Sequence, residues 1–240
     1  MNSENRDILI KGFTKYGVQL TEKQITCFEL YHKMLIEWNE KVNLTAIIDE
    51  REVVIKHFID SISIVPFLPE NALNIIDVGT GAGFPGIPLK IVKNDLNVTL
   101  LDSLEKRVRF LDSVINEIGI SDIKAIHGRA EDLGKDKAHR EIYDVGTARA
   151  VASLSVLCEY ILPFVRVGGY FIAMKGSTVE NEISDSRAAL DILGGEIEHV
   201  ANFILPFEKN ERNIILIKKI RQTPTKYPRK SGKPTKSPLK

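Results

Sequence analysis

The sequence predicts an α/β protein in which a mostly parallel, seven-stranded sheet follows a helical N-terminal segment. Between residues 73 and 193, short apolar runs alternate with longer amphipathic stretches. That alternation is typical of parallel strands joined by helices that cover both faces of a sheet. Two further apolar runs follow the last helix with no helix between them, so they predict a terminal hairpin. The hairpin gives the sheet one antiparallel edge strand.

Residues 1–66 carry helix signals throughout. Thr21-Glu-Lys-Gln is a capping-box pattern, which opens a helix. The large apolar side chains after it recur at steps of three and four residues, as on one helical face: Phe28, Tyr31, Met34, Leu35 and Trp38. We therefore expect an N-terminal helical extension.

The same patterns place the elements of the sheet. Strands are expected at 73–78, 97–101, 122–126, 142–147, 169–175, 196–204 and 213–219. Helices are expected near 86–94, 103–118, 151–166 and 178–193. These elements divide the chain into a helical extension at 1–66, a sheet domain at 67–220 and a C-terminal tail at 221–240.

The most informative segment, residues 73–86, joins the first strand to the next helix. Its apolar run ends in Asp77 and then breaks into a series of glycines: Gly79, Gly81, Gly83 and Gly86. Glycine is needed where the backbone must come close to a ligand. A dinucleotide-binding loop has the spacing G-x-G-x-x-G, whereas this loop places the large Phe84 at the last position. S-adenosylmethionine (SAM) carries no phosphate, so this class I methyltransferase-like loop suits SAM better than a dinucleotide.

A second carboxylate, Asp102, ends the second predicted strand 25 residues after Asp77. An acidic residue at this strand end accepts hydrogen bonds from the two hydroxyls of a ribose. NAD and SAM both contain that ribose, so Asp102 indicates a nucleoside without choosing between the two cofactors. The alternative is that Asp102 caps the helix expected at 103–118.

Three other strand ends share the edge of the sheet where open α/β sheets bind ligands. Ala130 and Glu131 follow the third strand, where a backbone group and a carboxylate can face adenine; Glu131 is alternatively a helix-capping acid. Arg149 lies at the end of the fourth strand and Lys175 at the end of the fifth.

The residues at the end of the fourth strand limit which chemical groups can be the methyl acceptor. The sequence there, Ala148-Arg149-Ala150, lacks the Asn/Asp-Pro-Pro-aromatic motif of enzymes that methylate exocyclic amines. Cys158 lies within an apolar helix and is expected to be buried and inert, which argues against a cysteine nucleophile. A ring nitrogen such as guanine N7 remains as a possible acceptor, because its lone pair is free and no base is needed to expose it. Arg149 and Lys175 are candidate cations for the guanine edge, and structural ion pairs are the alternative.

Two polar clusters lie in the helical extension. His57, Asp60 and Ser61 share one face of a helix, but three residues on one helix rarely converge on one reacting atom. We interpret them as a cluster that docks the extension over the cofactor pocket. Asn39 and Asn43 are expected to fix the turn before Thr45.

Composition excludes several other classes of protein. No apolar run has the length of a membrane span, and the N-terminus lacks the apolar segment of a signal peptide. Cys27 and Cys158 have no metal-ligand spacing, so we expect reduced thiols and no metal site. We expect a cytoplasmic monomer with no membrane partner.

The tail at 221–240 has its own composition. It contains seven Lys and Arg, four Pro and no acidic residue, whereas the rest of the chain has a net charge of −6. A basic, proline-rich segment is expected to neutralise phosphates of a nucleic acid, and a solubilising tail is the alternative. In either case we expect cofactor affinity to be independent of the tail.

Several of these segments together resemble one bacterial family. They are Trp38-Asn-Glu-Lys-Val-Asn-Leu-Thr45, His57-Phe-Ile-Asp-Ser61, residues 77–86, residues 101–111, Gly128-Arg-Ala-Glu131, Ala148-Arg-Ala150 and Tyr227-Pro-Arg229. The chain resembles the RsmG family, also called glucose-inhibited division protein B, from about residue 10 to its C-terminus. Members of that family are small-subunit ribosomal RNA guanine-N7 methyltransferases.

The resemblance implies SAM as methyl donor, S-adenosylhomocysteine as product, and 16S ribosomal RNA or the small ribosomal subunit as partner. It implies guanine 527, in the 530 loop, as acceptor. Residues at matching positions would contact the cofactor: Gly79, Phe84, Ala130, Glu131 and Arg149. This moves Arg149 towards the SAM carboxylate and leaves Lys175 as the acceptor-side cation. The alternatives are an inactive RNA-binding protein with the same fold and an NAD-dependent oxidoreductase.

Overall fold

The computed structural model describes residues 1–149, 152–176 and 179–239. Its strands are β1 Asn74–Val78, β2 Asn97–Asp102, β3 Ile123–His127, β4 Tyr143–Arg149, β5 Val165–Lys175, β6 Gly195–Ile204 and β7 Glu211–Lys219. They form one sheet in the order β3-β2-β1-β4-β5-β7-β6. Strands β1 to β5 pair in parallel, and β7 pairs antiparallel with both β5 and β6.

The helices of the extension are α1 Ser3–Thr14, α2 Glu22–Val42, α3 Glu50–Val53, a π-helical segment Val54–Ile59, α4 Asp60–Ile62 and a short 3₁₀ turn Val65–Phe67. The helices of the sheet domain are α5 Gly86–Val92, α6 Glu105–Ile118, α7 Ala130–Leu133, α8 Leu154–Ile161 and α9 Glu180–Leu193. A last short helix, α10 Lys233–Lys236, lies in the tail. Within the described residues, no helix is both long and apolar enough to cross a membrane.

The predicted α/β class and the seven strands are confirmed, with one difference in the hairpin. The antiparallel strand, β7, lies one place in from the edge, and β6 is the edge strand. Their sequences explain the order. The centre of β7 is a buried apolar run, whereas β6 carries charged and polar side chains on a largely exposed strand. A strand that is apolar on both faces suits the interior of a sheet that helices cover, and an exposed strand with charged side chains suits the edge.

A second difference concerns α8 and β5. The helix expected at 151–166 ends at Ile161 because Pro163 cannot continue a helical hydrogen-bond pattern. The chain then enters β5 at Val165, four residues before the predicted start, and passes a left-handed glycine at Gly168. Parts of the predicted helices at 151 and 178 lie outside the described residues, as do Ala150, Ser177 and Lys240.

The extension covers the glycine loop through an aromatic cluster. Tyr31 of α2 is fully buried, stacks on Phe84 at 5.4 Å between ring centroids, and donates its hydroxyl proton to the carbonyl of Ala82. Gly83 sits under this contact with φ +98°, and a Cβ there would lie 2.7 Å from the Tyr31 hydroxyl. The glycine at position 83 therefore allows the extension to pack on the loop.

The loop is anchored from the sheet side by Asp77. Its carboxylate is fully buried, and Oδ2 accepts hydrogen bonds from the Gly86 amide at 2.9 Å and the Thr80 hydroxyl at 2.6 Å. Burial, partly offset by these hydrogen bonds, raises the pKa of Asp77 to about 6. One carboxylate thus joins the start and the end of the turn.

This pKa predicts a pH-dependent stability. The folded protein holds the Asp77 proton up to about pH 6, whereas the unfolded chain releases it near pH 3.8, so this contribution to stability is lost as pH rises between these values. Asp77→Asn cannot ionise. The free energy of unfolding of Asp77→Asn relative to wild type should therefore rise by roughly 2 kcal/mol from pH 4 to pH 7 in urea titrations.

Asp144→Asn is the matched control for this titration. Burial raises the pKa of Asp144, but hydrogen bonds from the Asn74 amide and the Arg166 guanidinium outweigh it and leave the pKa lowered. The stability that Asp144 contributes is present above its unfolded pKa and lost on acidification, so the slope has the opposite sign. A pH-independent difference for Asp77→Asn would contradict the assignment of a raised pKa.

Candidate functional site

Three adjoining cavities lie at the carboxyl ends of the parallel strands. The first, of about 360 Å³, is bounded by Gly79, Glu131 and the tail. The middle cavity, of about 290 Å³, shares Gly79 with it. The third, of about 300 Å³, shares His57 and Arg149 with the middle one. The cavities thus form a continuous row along the edge where open α/β sheets bind ligands.

A larger cavity, of about 550 Å³, lies at the opposite edge of the sheet. It is bounded by residues at or just before the amino ends of strands, such as Asn74, Asn97 and Asp122. None of the predicted site residues lines it. The row at the carboxyl ends is therefore the candidate site.

The glycine loop forms the floor of the middle cavity. Gly79 and Gly81 have φ of +69° and +62°, the left-handed region that favours glycine. A Cβ built on Gly81 has no protein atom within 4 Å, so the backbone there faces open space. This cradle fits a ligand that approaches the backbone closely. Gly83, in contrast, faces Tyr31 and Ile87 and lines none of the three cavities.

Asp102 ties this loop to the second strand. Its Oδ2 accepts a hydrogen bond from the Gly81 amide and its Oδ1 one from the Leu104 amide, both at 2.9 Å. The cap residue of α6 is Leu104, so Asp102 supports the approach to the helix without being its cap. Asp102 is only 2% exposed. It lies between α6 and the glycine loop, which the first and middle cavities share.

Ala130 and Glu131 open α7 and both line the first cavity. Glu131 is 8% exposed, and its Oε1 accepts a hydrogen bond from the Gly232 amide in the tail at 3.1 Å. The carboxylate is thus directed towards the tail and the cavity, and its observed bond is with a residue 101 positions away.

Asp60 connects the extension to the sheet beside the third cavity. Its Oδ2 lies 3.1 Å from Nη1 of Arg149, and its Oδ1 lies 2.9 Å from Nε of Arg212. Arg149 in turn lies over the Phe84 ring, with Cζ 5.0 Å from the centroid. The predicted docking role of this cluster is confirmed for Asp60.

His57 completes the docking cluster. Its ring stacks on Phe84 at 4.5 Å between centroids, and its Nδ1 lies 3.2 Å from Nη2 of Arg149. Nδ1 also lies 3.1 Å from the Lys56 carbonyl, and Nε2 lies 2.9 Å from the Thr45 hydroxyl. Burial and the neighbouring Arg149 charge lower the pKa of His57 to about 3, so the ring is neutral.

Ser61 takes no part in that cluster, because its hydroxyl donates to the backbone carbonyl of His57 within its own helix. The segment between them is π-helical, so the face predicted from α-helical spacing is altered. The predicted turn is confirmed: Asn39 accepts from the amides of Leu44 and Thr45, and Asn43 ends α2 in the left-handed conformation.

Lys175 lies at the end of β5 with its side chain 7% exposed. Its ammonium is 2.7 Å from the Glu182 carboxylate and 2.5 Å from the carbonyl of Ala152. This arrangement matches the structural ion pair that the sequence left open as the alternative. Lys175 borders the third cavity, but its charge is already paired.

Two groups around the site were not found from the sequence. Arg212, the second residue of β7, meets Asp60 across 152 residues, and no local pattern signals that contact. Residues of the tail line the first cavity, although composition indicated only a charged segment. Cys158 is fully buried, as expected, and burial raises the pKa of its thiol. Among the described residues, no cluster of His, Cys, Asp and Glu is arranged to hold a metal ion.

Comparison with known proteins identifies the family. The profile of the family described as rRNA small subunit methyltransferase G matches residues 24–215. The ribosomal RNA small subunit methyltransferase G of Acetivibrio thermocellus is 59% identical over 234 residues, 98% of this chain and 96% of that protein. The proteins of the same name from Alkaliphilus metalliredigens and Bacillus cytotoxicus are 51% and 53% identical, covering 99% and 93% of this chain and 100% and 94% of their own lengths.

Solved structures show the fold independently. TYW2 of M. jannaschii in complex with AdoMet has a TM-score of 0.52 at 13% identity and covers 66% of this chain and 74% of its own. TrmK of M. capricolum in complex with S-adenosylhomocysteine has a TM-score of 0.51 at 18% identity and covers 68% and 69%. At these identities the likeness is one of fold, the fold of class I SAM methyltransferases. The chain belongs to the rRNA small subunit methyltransferase G family, and it is a ribosomal RNA methyltransferase that uses SAM.

Proposed function

We propose that this chain transfers the methyl group of SAM to N7 of a guanine in 16S ribosomal RNA, at position 527 by family resemblance. The observation that carries this proposal is the chemistry of the third cavity. Arg149 and Arg212 bring positive charge to it, because two guanidiniums share the single carboxylate of Asp60, whereas Lys56 is paired with Glu52. Among its described lining residues, no carboxylate or imidazole is left without a partner, because Asp60 binds two arginines and His57 is bonded at both nitrogens.

An acceptor that needs deprotonation is poorly served by such a cavity. Guanine N7 has a free lone pair, so the protein has only to orient the base and to stabilise charge on the purine. Cations suit the O6 and N7 edge of guanine, which presents two acceptors. An exocyclic amine or a ring carbon would require a base or a nucleophile, and the buried thiol of Cys158 supplies neither.

The middle and first cavities fit SAM. Gly79 and Gly81 would admit the ligand to the backbone, and Ala130 and Glu131 would face the adenine. Asp102 lines neither cavity; it lies behind the Gly81 amide, and accepting from the ribose would add to the two amide hydrogen bonds that it already holds. Phe84 and Arg149 would lie by the methionine part, with Arg149 near its carboxylate. Bound SAM supplies a methyl group on a positively charged sulfur. The protein residues bind the nucleoside part of SAM and hold the acceptor base next to the middle cavity.

The proposal includes the partner and the setting. The acceptor is 16S ribosomal RNA or the small ribosomal subunit, met by a cytoplasmic monomer. In this proposal the extension is residues 1–66, the catalytic domain is residues 67–220 and the tail is residues 221–240. The tail's exposed lysines, Lys226, Lys230, Lys233 and Lys236, are the first candidates for contacts with RNA phosphates. The oxidoreductase alternative has no support among the relatives.

The decisive experiment is methyl transfer from radiolabelled SAM to free 16S RNA and to assembled small subunits. Nucleoside mass spectrometry identifies the product, and aniline cleavage after borohydride reduction maps N7-methylguanosine along the strand. We expect one labelled N7-methylguanosine in at least one of the two substrates. Label on an exocyclic amine or a pyrimidine would overturn the proposed acceptor, and no label on either substrate would favour the inactive RNA-binding protein.

The glycine cradle predicts a loss of cofactor affinity in Gly81→Asn. Asparagine tolerates the left-handed backbone better than other residues with a Cβ, and its side chain would enter the middle cavity. The dissociation constant of S-adenosylhomocysteine, measured by calorimetry, should rise at least about 10-fold, or roughly 1.4 kcal/mol. Gly119→Asn is the matched control, because Gly119 has φ +65° and equally open space but lies at the end of α6, away from the row. Equal affinity in both variants would place the ligand elsewhere.

The two interpretations of Lys175 predict different results for Lys175→Met and Glu182→Gln. If the ion pair is structural, as its burial suggests, both variants should lose roughly 2–4 kcal/mol of stability, since each leaves a partner unpaired. Methyl transfer well below the melting temperature should then stay near wild type. A kcat that falls more than 10-fold in Lys175→Met alone would restore Lys175 as the acceptor-side cation.

A further inference from the structure

The tail does not extend away from the sheet domain. Arg140 donates hydrogen bonds to the carbonyls of Thr223 at 2.7 Å and Tyr227 at 2.9 Å, and Tyr227 is only 7% exposed. The amide of Thr223 donates to the Glu141 carboxylate at 2.8 Å. A segment whose composition cannot support folding alone is therefore held by backbone contacts with the sheet domain.

A buried ion pair holds the next part of the tail. Glu159 of α8 is 1% exposed, and it accepts from Nε of Arg229 at 2.8 Å and from Nη2 at 2.6 Å. The Arg229 amide also donates to Glu159, at 2.8 Å. Two-point binding of a guanidinium to a buried carboxylate fixes direction as well as distance. We call this contact the Glu159–Arg229 latch.

Beyond the latch the chain crosses the mouth of the first cavity. The Gly232 amide donates to Glu131, the Thr235 hydroxyl lies 3.0 Å from the Tyr160 hydroxyl, and Ser231 accepts from Arg129. Three tail residues, Ser231, Gly232 and Thr235, line this cavity. The same cavity is lined by Ala130 and Glu131, the groups proposed to face the adenine of the cofactor.

We propose that residues 229–235 form one wall of the cofactor site, and that the Glu159–Arg229 latch is the positioning contact that keeps this wall in place. The inference rests on the proposed placement of adenosine in the first cavity. It revises the sequence-based expectation that cofactor affinity is independent of the tail. Ordering this short segment beforehand spares the ligand that entropic cost, so loss of the latch should weaken binding without any change in the glycine loop.

Calorimetry with S-adenosylhomocysteine on full-length variants tests the proposal. Arg229→Gln should raise the dissociation constant at least about 10-fold, and Arg229→Lys, which keeps one charged hydrogen bond, should lie between it and wild type. Arg221→Gln is the matched control, because it removes the same charge from the tail but pairs with the exposed Asp191. We expect Arg221→Gln to bind within twofold of wild type.

A measurement on the wild-type chain keeps the test independent of variant stability. Trypsin can cleave after the exposed Lys230, next to the proposed wall, and after Lys93 at the opposite edge of the sheet. Saturating S-adenosylhomocysteine should slow cleavage after Lys230 several-fold more than cleavage after Lys93. Equal affinities for Arg229→Gln and wild type, or no selective protection of Lys230, would overturn the wall. Failure of wild type to bind S-adenosylhomocysteine would instead overturn the placement of the cofactor.

Discussion

The buried carboxylate of Asp77 is the contact on which the site depends. It holds both ends of the turn between β1 and α5, through the Thr80 hydroxyl and the Gly86 amide. Gly86 has to be glycine for this, since a Cβ would lie 2.2 Å from Leu100 and 3.0 Å from Asp77. Gly81, between these anchors, and Gly79, just before them, then present backbone to the cavities. Burying this carboxylate carries a desolvation penalty, which is why the pKa of Asp77 is raised. In return, its hydrogen bonds hold the loop in its shape.

The extension acts as the second support of the loop. Tyr31 binds the Ala82 carbonyl from above, while His57 and Arg149 stack against Phe84. The loop is therefore held between the sheet and the extension, and the extension is a structural part of the site. Short π-helical segments are frequent at functional sites, and the one at Val54–Ile59 carries His57 into this contact.

Electrostatics at the acceptor end centre on Asp60. A buried carboxylate between Arg149 and Arg212 is stable because each charge has a partner, and removing one partner of such a set commonly costs about 3–5 kcal/mol. The same arrangement leaves the third cavity with cations at its border and its acids neutralised. That balance favours an electron-rich base edge over a group that must lose a proton. The Glu159–Arg229 latch repeats the principle at the other end of the row.

The sequence by itself determined the fold class, the seven strands and the position of the glycine loop, because apolar periodicity and glycine spacing act over a few residues. It also placed Glu131 and Arg149 at the ends of strands beside the cavities, and it predicted that Asp60 docks the extension. Only the tertiary structure decided which charges meet. Arg212 reaches Asp60 over 152 residues, and Arg229 reaches Glu159 over 70. Such pairs depend on strand order and on the path of the tail, so no local pattern contains them; for the same reason Lys175 was a candidate cation until its pairing with Glu182 was visible.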